Sequence, residues 1–342
     1  MSGGLKVPLR TRVYIDGFNF YYGCLRNTPY KWLDLRKLFE KHVLPSILYR
    51  PQAAAEPATM ELDHCAIRYF TAPILGRAAK ASDSVASQNQ YHAALSSFAE
   101  ISITKGYYSL TKSSQYLVDG DSPDKDPNEC AKVTVWKLEE KQSDVNLALS
   151  LYDDALSCPA LDQLVVVTND TDIAPALALI KQKKPHLVIG LVIPTKPDEK
   201  KDASAIEREP NADLRKYADW TRTHIKPQEL AASQLPRVVK GRRKDAIKPI
   251  SWYARSDLLQ AAMAAALPIK PKPGDFFQWA EKANDYMDKQ RPIDLLESDA
   301  GAAVVMAYIT GYIRDQLRLE GFSRDTCKNA PQNRNSLSNT IN

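Results

Sequence analysis

Long apolar runs are missing from this sequence. Stretches such as LVVV at 164–167 stop far short of the roughly 20 residues a helix needs to cross a bilayer, so no transmembrane helix is expected. The first dozen residues, MSGGLKVPLRTR, run into a strand-like VYI without the apolar core of a secretory signal, and the protein is expected in the cytoplasm. Paired cysteines are missing too: Cys24, Cys65, Cys130, Cys158 and Cys327 are odd in number, scattered and never spaced CxxC. That argues against a disulfide framework or a zinc knuckle and leaves reduced cysteines that mostly pack as small apolar residues. An excess of one charge is also absent. With 46 basic against 41 acidic residues the net charge is only +5, weaker than that of a dedicated nucleic-acid coat protein. Two local runs, Lys181, Lys183, Lys184 and Lys240, Arg242, Arg243, Lys244, would suit a phosphate backbone as well as a solvated face.

What remains is a globular composition, 44% hydrophobic and 25% charged, on a chain of 342 residues. At roughly 150 residues per domain that length suggests two domains. Periodicity predicts strands at 13–15, 65–70, 100–103, 133–136 and 186–194, and helices at 33–44, 90–100, 144–156 and 213–224. Segments 73–87 and 112–130 are small and polar and are expected to be loops. The clearest element is LDQLVVVTNDTD (161–172), a β-branched run that must be buried on both faces, followed by polar residues and a helical ALALI. Strands alternating with helices imply an α/β fold, a doubly wound parallel sheet with helices on both sides. From Asp257 onward the pattern is purely helical, which places a boundary near residue 253: an α/β domain over 1–252, a small all-α domain over 253–327, and a polar tail over 328–342 that is expected to be disordered.

In open parallel sheets, ligands sit beyond the carboxyl ends of the strands. Asp16 ends the first strand, Asp170 and Asp172 follow the LVVV strand, and Asp144 opens the helix after EEKQS. Each alone has a plain explanation, since Asp caps helices and Asp-Gly makes turns. Convergence of all four is harder to explain structurally, because close carboxylates raise one another's pKa and repel unless a cation sits between them. A hard divalent ion, Mg²⁺ or Mn²⁺, takes oxygen ligands of this kind. A histidine-pair mechanism finds no support, because His42, His64, His92, His186 and His224 show no pairing spacing. A DxDx phosphatase is disfavoured by Phe18 where its second Asp would stand.

The strings YIDGFNFYYG (14–23), KWLDL (31–35), YFTAP (69–73), EEKQSDVNLAL (139–149), VVVTNDTDIAPAL (165–177) and SQLPRVV (233–239) follow the order seen in the NYN family. Over residues 11–252 the chain resembles this branch of the PIN-like ribonucleases, particularly its bacterial LabA-like members. The resemblance implies a PIN-like α/β/α sandwich and metal-dependent hydrolysis of RNA. Asp16, Asp144, Asp170 and Asp172 would be both the catalytic and the metal-binding acids, Mg²⁺ or Mn²⁺ the cofactor, and Asn19 and Asn146 neighbouring polar groups. Asn169 stands where many members have Gly, and Ser150 where some have an acid. On this reading Lys141 would contact the scissile phosphate as a point charge, and Tyr21, Tyr22 and Phe18 would stack on unpaired bases. The alternative is a non-catalytic RNA-binding or regulatory scaffold with the same fold. Residues 256–325, with a Trp-containing helix and an RPIDLL turn, look similar to the toxin-binding domain of Xre/ParS-type antitoxins, which implies a homodimer or protein partner docked through this module; a plain helical bundle is the other reading.

Overall fold

The computed structural model describes residues 8–51, 56–196 and 208–328. It divides into two compact units, Met1–Trp252 and Tyr253–Asn342.

The first unit is built on β1 (Leu9–Asp16), β2 (Met60–Thr71), β3 (Ile101–Lys105), β4 (Tyr107–Tyr116), β5 (Lys132–Lys141), β6 (Gln163–Val167), β7 (Val188–Val192) and β8 (Trp220–Arg222). Six of these form one sheet in the order β3-β2-β1-β6-β7-β8, and every pair in it is parallel. The α/β class follows from the sequence of β6 and β7: both are buried along their whole length, so their Val, Ile and Leu residues need a layer on each face. Val13, Ile15, Val165 and Val167 enter one core with Trp32, Leu35 and Phe39, while Tyr14, Leu164 and Val166 enter the other with Leu147, Leu151 and Leu177. The helices Ser143–Ser157 and Ala174–Lys183 supply the second of these layers.

The chain builds outward from β1 through β2 to β3, then returns to place β6 on the other side of β1. The strand order therefore reverses between β1 and β6, and the crevice over their carboxyl ends is the switch point where such sheets take ligands. Asp16 stands at one lip of this crevice and the Thr168–Asn169–Asp170 turn at the other.

Three segments differ from expectation. Residues 112–116, expected in a loop, are the second half of β4, which pairs antiparallel with β5 over ten residues as a ribbon separate from the main sheet. Its Ser- and Lys-rich sequence lacks the apolar alternation of a half-buried strand because both of its faces are largely exposed. The helix expected over 213–224 is only four residues long (Ala212–Arg215), and 220–222 form the edge strand β8. Tertiary packing decides this: the Trp220 indole donates to Gln163 Oε1 at 2.8 Å and lies over Gly190, where a Cβ would meet the ring at 2.0 Å. Residues 84–87, read as loop, begin the helix Ser84–Leu95.

In the second unit, helices Ser256–Ala266, Pro273–Ala280 and Asp299–Lys328 surround Phe276, Phe277, Leu296, Val305 and Ile309. Pro292 opens a four-residue helix, as its fixed φ favours. Residues 329–342, nearly all of the expected tail, lie outside the described residues. Among the described residues no helix is long and apolar enough to cross a membrane.

Candidate functional site

A cavity of about 820 Å³ opens over the carboxyl ends of β1 and β2. Its acidic floor is built by the backbone. Asp16 leaves β1 in extended conformation and caps the short helix Gly17–Phe20: one carboxylate oxygen accepts the Asn19 backbone N–H at 2.9 Å, while the other accepts the Asn19 side-chain amide at 2.7 Å and the Thr168 hydroxyl at 2.8 Å. Thr168 Oγ1 in turn accepts the Asp170 N–H at 3.1 Å, so one hydroxyl ties the ends of β1 and β6 together. Asp170 accepts the Asp172 N–H at 3.0 Å. Gly17 is required for close approach, because a Cβ there would meet the Phe70 carbonyl oxygen at 2.5 Å.

Asp144 enters from the first turn of Ser143–Ser157. The residue before that helix, Gln142, holds a left-handed φ of 75°, a cost to a non-glycine residue that the surrounding packing sustains. Glu140, at the end of β5, accepts the Tyr108 hydroxyl at 3.1 Å and the Ser143 hydroxyl at 2.5 Å.

The electrostatics follow from this crowding. Burial raises the pKa of Asp16, the nearby charge of Asp170 adds to the rise, and the three donated hydrogen bonds oppose it. Burial followed by Asp16, Asp170, Glu140 and Asp172 pushes Asp144 up to about 6. The phenols of Tyr69 and Tyr108 are raised by burial first and then by acidic neighbours, so both remain neutral donors. His92, in the cavity wall, is lowered to about 4 by burial and by Lys105 and is neutral at pH 7.

Of the residues singled out in the sequence, Asp16, Asp144, Asp170, Asn19, Tyr21 and Tyr22 line this cavity, as does Phe18. Phe18 and Tyr22 have ring centroids 4.5 Å apart, Tyr21 meets Tyr22 edge-on at 5.2 Å, and all three are at least one-third exposed. Asp172, Lys141 and Asn146 are not in the lining. Asp172 acts on Asp144 only through its charge, and Lys141 is paired with Glu139 at 3.2 Å. Sequence reasoning missed Glu140, although it belongs to the quoted EEKQSDVN string, and missed Lys31, Tyr69, His92 and Tyr108, which only the fold brings to the cavity.

Among the described residues, only Asp63, His64 and Cys65 place three potential ligand atoms within 4.8 Å of one another. Asp63 is already committed to the buried Arg12 at 2.5 Å, and no three of the cavity acids converge that closely.

No family model matches the chain. A curated relative from Pseudomonas putida, named 6-hydroxy-3-succinoylpyridine 3-monooxygenase HspA, is 48% identical over 314 residues, which are 91% of this chain and 97% of the relative. A solved structure of a Vibrio parahaemolyticus protein of unknown function covers 66% of this chain and 98% of its own at 16% identity, with a TM-score of 0.34, too low to carry an argument. The Pseudomonas relative corrects the expectations drawn from motif resemblance. It is named for an oxidation, which overturns the NYN ribonuclease assignment with its antitoxin-like appendage, the hydrolysis of RNA, the non-catalytic scaffold alternative, and Mg²⁺ or Mn²⁺ as the cofactor. The physical reason for the error is that acids at the carboxyl ends of parallel strands mark where a ligand binds and leave open which reaction follows.

Proposed function

The chain belongs to the family of the Pseudomonas putida 6-hydroxy-3-succinoylpyridine 3-monooxygenase HspA, and from that premise we propose that it is a cytoplasmic bacterial oxygenase acting on a small hydroxylated nitrogen-heteroaromatic acid in the cavity over β1 and β2. The 48% identity along nearly the whole chain carries this reading. The cavity supports it: about 820 Å³ is ample for a single-ring acid, and the aromatic lining offers flat contact surfaces. A hydroxypyridine presents an O–H, or an N–H as its pyridone tautomer. Both are donors, and the side chains of Asp16, Asp144 and Glu140 offer carboxylate oxygens that accept. Asp144, with its pKa pushed up to about 6, is suited to take that proton near neutral pH. Removing it leaves an electron-rich ring, which is what attack by an electrophilic oxygen species requires. Asp16, held by three hydrogen bonds, fixes the position of the acceptor edge.

Monooxygenation places one atom of O₂ on the substrate and reduces the other to water with two electrons from a donor. A dinucleotide cofactor would set its diphosphate on the helix N-termini at the switch point. Here the Asn19 N–H is taken by Asp16 and the Asp172 N–H by Asp170, so each turn sets a carboxylate where a diphosphate would have to lie. Two carboxylates at the strand ends do not fit a diphosphate. We read the parallel sheet as a PIN-like sandwich and the second unit as a small all-α domain with an interaction role; a shared fold carries no chemistry with it.

The test is incubation of the purified protein with 6-hydroxy-3-succinoylpyridine, ¹⁸O₂ and NADH, with and without added free flavin, followed by mass spectrometry. The expected result is substrate loss with one ¹⁸O in each product molecule. Absence of substrate loss in every combination, together with no detectable binding of that acid, refutes the reading.

A further inference from the structure

The polar lining of the cavity is divided by charge. The charges that act on Asp144 beside its burial are all acidic, and among the described residues the charge that acts on Lys31 is Asp83. Lys31 lines the wall next to a Trp32 whose ring is fixed on both sides. The Trp32 indole donates to the Pro236 carbonyl at 2.8 Å, and its ring packs against Tyr91 and Trp252 at 6.0 and 6.2 Å. Among the described residues, no carboxylate lies within ion-pair distance of the Lys31 ammonium. Asp83, whose charge acts on it, accepts hydrogen bonds from the Ser87 and Ser251 hydroxyls. Burial lowers the Lys31 pKa, the mark of a cation that has lost water without gaining a full partner. The other basic groups of the lining do not compete. Arg26 is exposed and stands over the Tyr22 ring at 5.3 Å, and Lys80 is exposed.

We propose that Lys31 is the counter-ion for a carboxylate on the substrate's side arm, so that the cavity selects aromatic acids by gripping the arm at Lys31 while the acidic floor reads the ring's N–H or O–H. This rests on the reading of the cavity as an aromatic-acid site. It assigns to one named residue the discrimination between an acid and its neutral analogue. A neutral analogue leaves the partly buried ammonium unpaired; an acid that reaches it gains a charge-assisted hydrogen bond in a site where water screens less.

The experiment is a binding titration of the full chain, by calorimetry, with 6-hydroxy-3-succinoylpyridine and with its methyl ester, for the wild type, Lys31→Gln and Lys31→Arg. The wild type is expected to bind the acid at least about tenfold more tightly than the ester, equivalent to about 1.4 kcal/mol. Lys31→Gln should bind acid and ester alike, at the wild type's ester affinity, and Lys31→Arg should restore the preference. Equal wild-type affinity for acid and ester, or a Gln variant that loses both ligands to the same extent, overturns the assignment while leaving the proposed function standing. If the wild type binds neither ligand and oxidises neither, the proposed function falls and the assignment with it. Should Lys31→Gln fail to fold, the wild-type acid-to-ester ratio and its retention in Lys31→Arg decide the matter.

Discussion

Replacing Asp144 by Asn should stabilise the protein at pH 7.5 and do nothing at pH 3.5. The native pKa of Asp144 lies at about 6, against 3.8 for the free side chain, with burial as the largest cause and four neighbouring acids behind it. The native state therefore holds this proton more tightly than the unfolded chain does. As pH rises from 3.8 to 6 the unfolded state releases its proton first, and stability falls. Two pKa units correspond to about 3 kcal/mol at roughly 1.4 kcal/mol each. Asp144 is only half-buried, so solvent screening cuts this to about 1.5 kcal/mol. Asn also forgoes the favourable interaction of a carboxylate with the first turn of Ser143–Ser157, about 0.5 kcal/mol. The expected net gain is about 1 kcal/mol, or about 2–4 °C in melting temperature for a unit of this size.

Denaturant titrations of wild type and Asp144→Asn at pH 3.5, 5 and 7.5 measure this directly. The difference should grow across the window from 4 to 6 and level off above it, while turnover is lost because the proton acceptor is gone. A variant that is less stable than wild type at pH 7.5, or a difference that does not change with pH, would refute the reasoning. Either result would mean that Asp144 is held by favourable partners rather than repelled by Asp16, Asp170 and Glu140.

His92 should impose a pH dependence of opposite sign: buried and lowered to about 4, it binds fewer protons in the native state than in the unfolded one, so the stability it contributes is lost as pH falls from 6.5 to 4. His92→Gln should flatten that limb of the wild-type stability profile, whereas Asp144→Asn should steepen it, which the same titrations check. Arg12→Met should cost about 3 kcal/mol, because it takes from the buried Asp63 its arginine partner at 2.5 Å, while Asp154, 2.9 Å from Arg12, keeps Arg68 at 3.0 Å and the Tyr14 hydroxyl at 2.6 Å; urea midpoints measure it.

The parallel sheet was legible because β6 and β7 are buried throughout and carry near-continuous apolar runs, LVVV and VIGLV, a pattern that a strand covered on both faces tolerates. Strand β8 was not, because three residues carry no period and its place depends on Trp220 finding Gly190 and Gln163 across the sheet. The ribbon of β4 and β5 was half-visible for a related reason: its strands stabilise each other by pairing, without the buried face that would write alternation into the sequence. In the cavity, Asp16 and Asp170 could be placed because each ends a readable strand. Lys31, Tyr69, His92 and Tyr108 come from elements whose meeting depends on the sheet order β3-β2-β1-β6, which local pattern does not encode.

The mistaken reaction has the same origin as the placing of these acids at the strand ends. A carboxylate at the end of a parallel strand caps the turn that follows, and Asp16 and Asp170 both do so here. Such residues are favoured by the backbone whatever the protein's chemistry, so a string like DGFN or TNDTD reports a turn and a ligand crevice more directly than a reaction. Chemistry is decided by what faces those acids. Here that is an aromatic rim of Phe18, Tyr21 and Tyr22, neutral phenols at Tyr69 and Tyr108, and a lysine that makes no ion pair among the described residues. These are groups that complement one flat, polar, singly charged molecule. The acid-to-ester ratio at Lys31 is therefore also the measurement that asks whether a charge opposite the acids helps to select what the cavity holds.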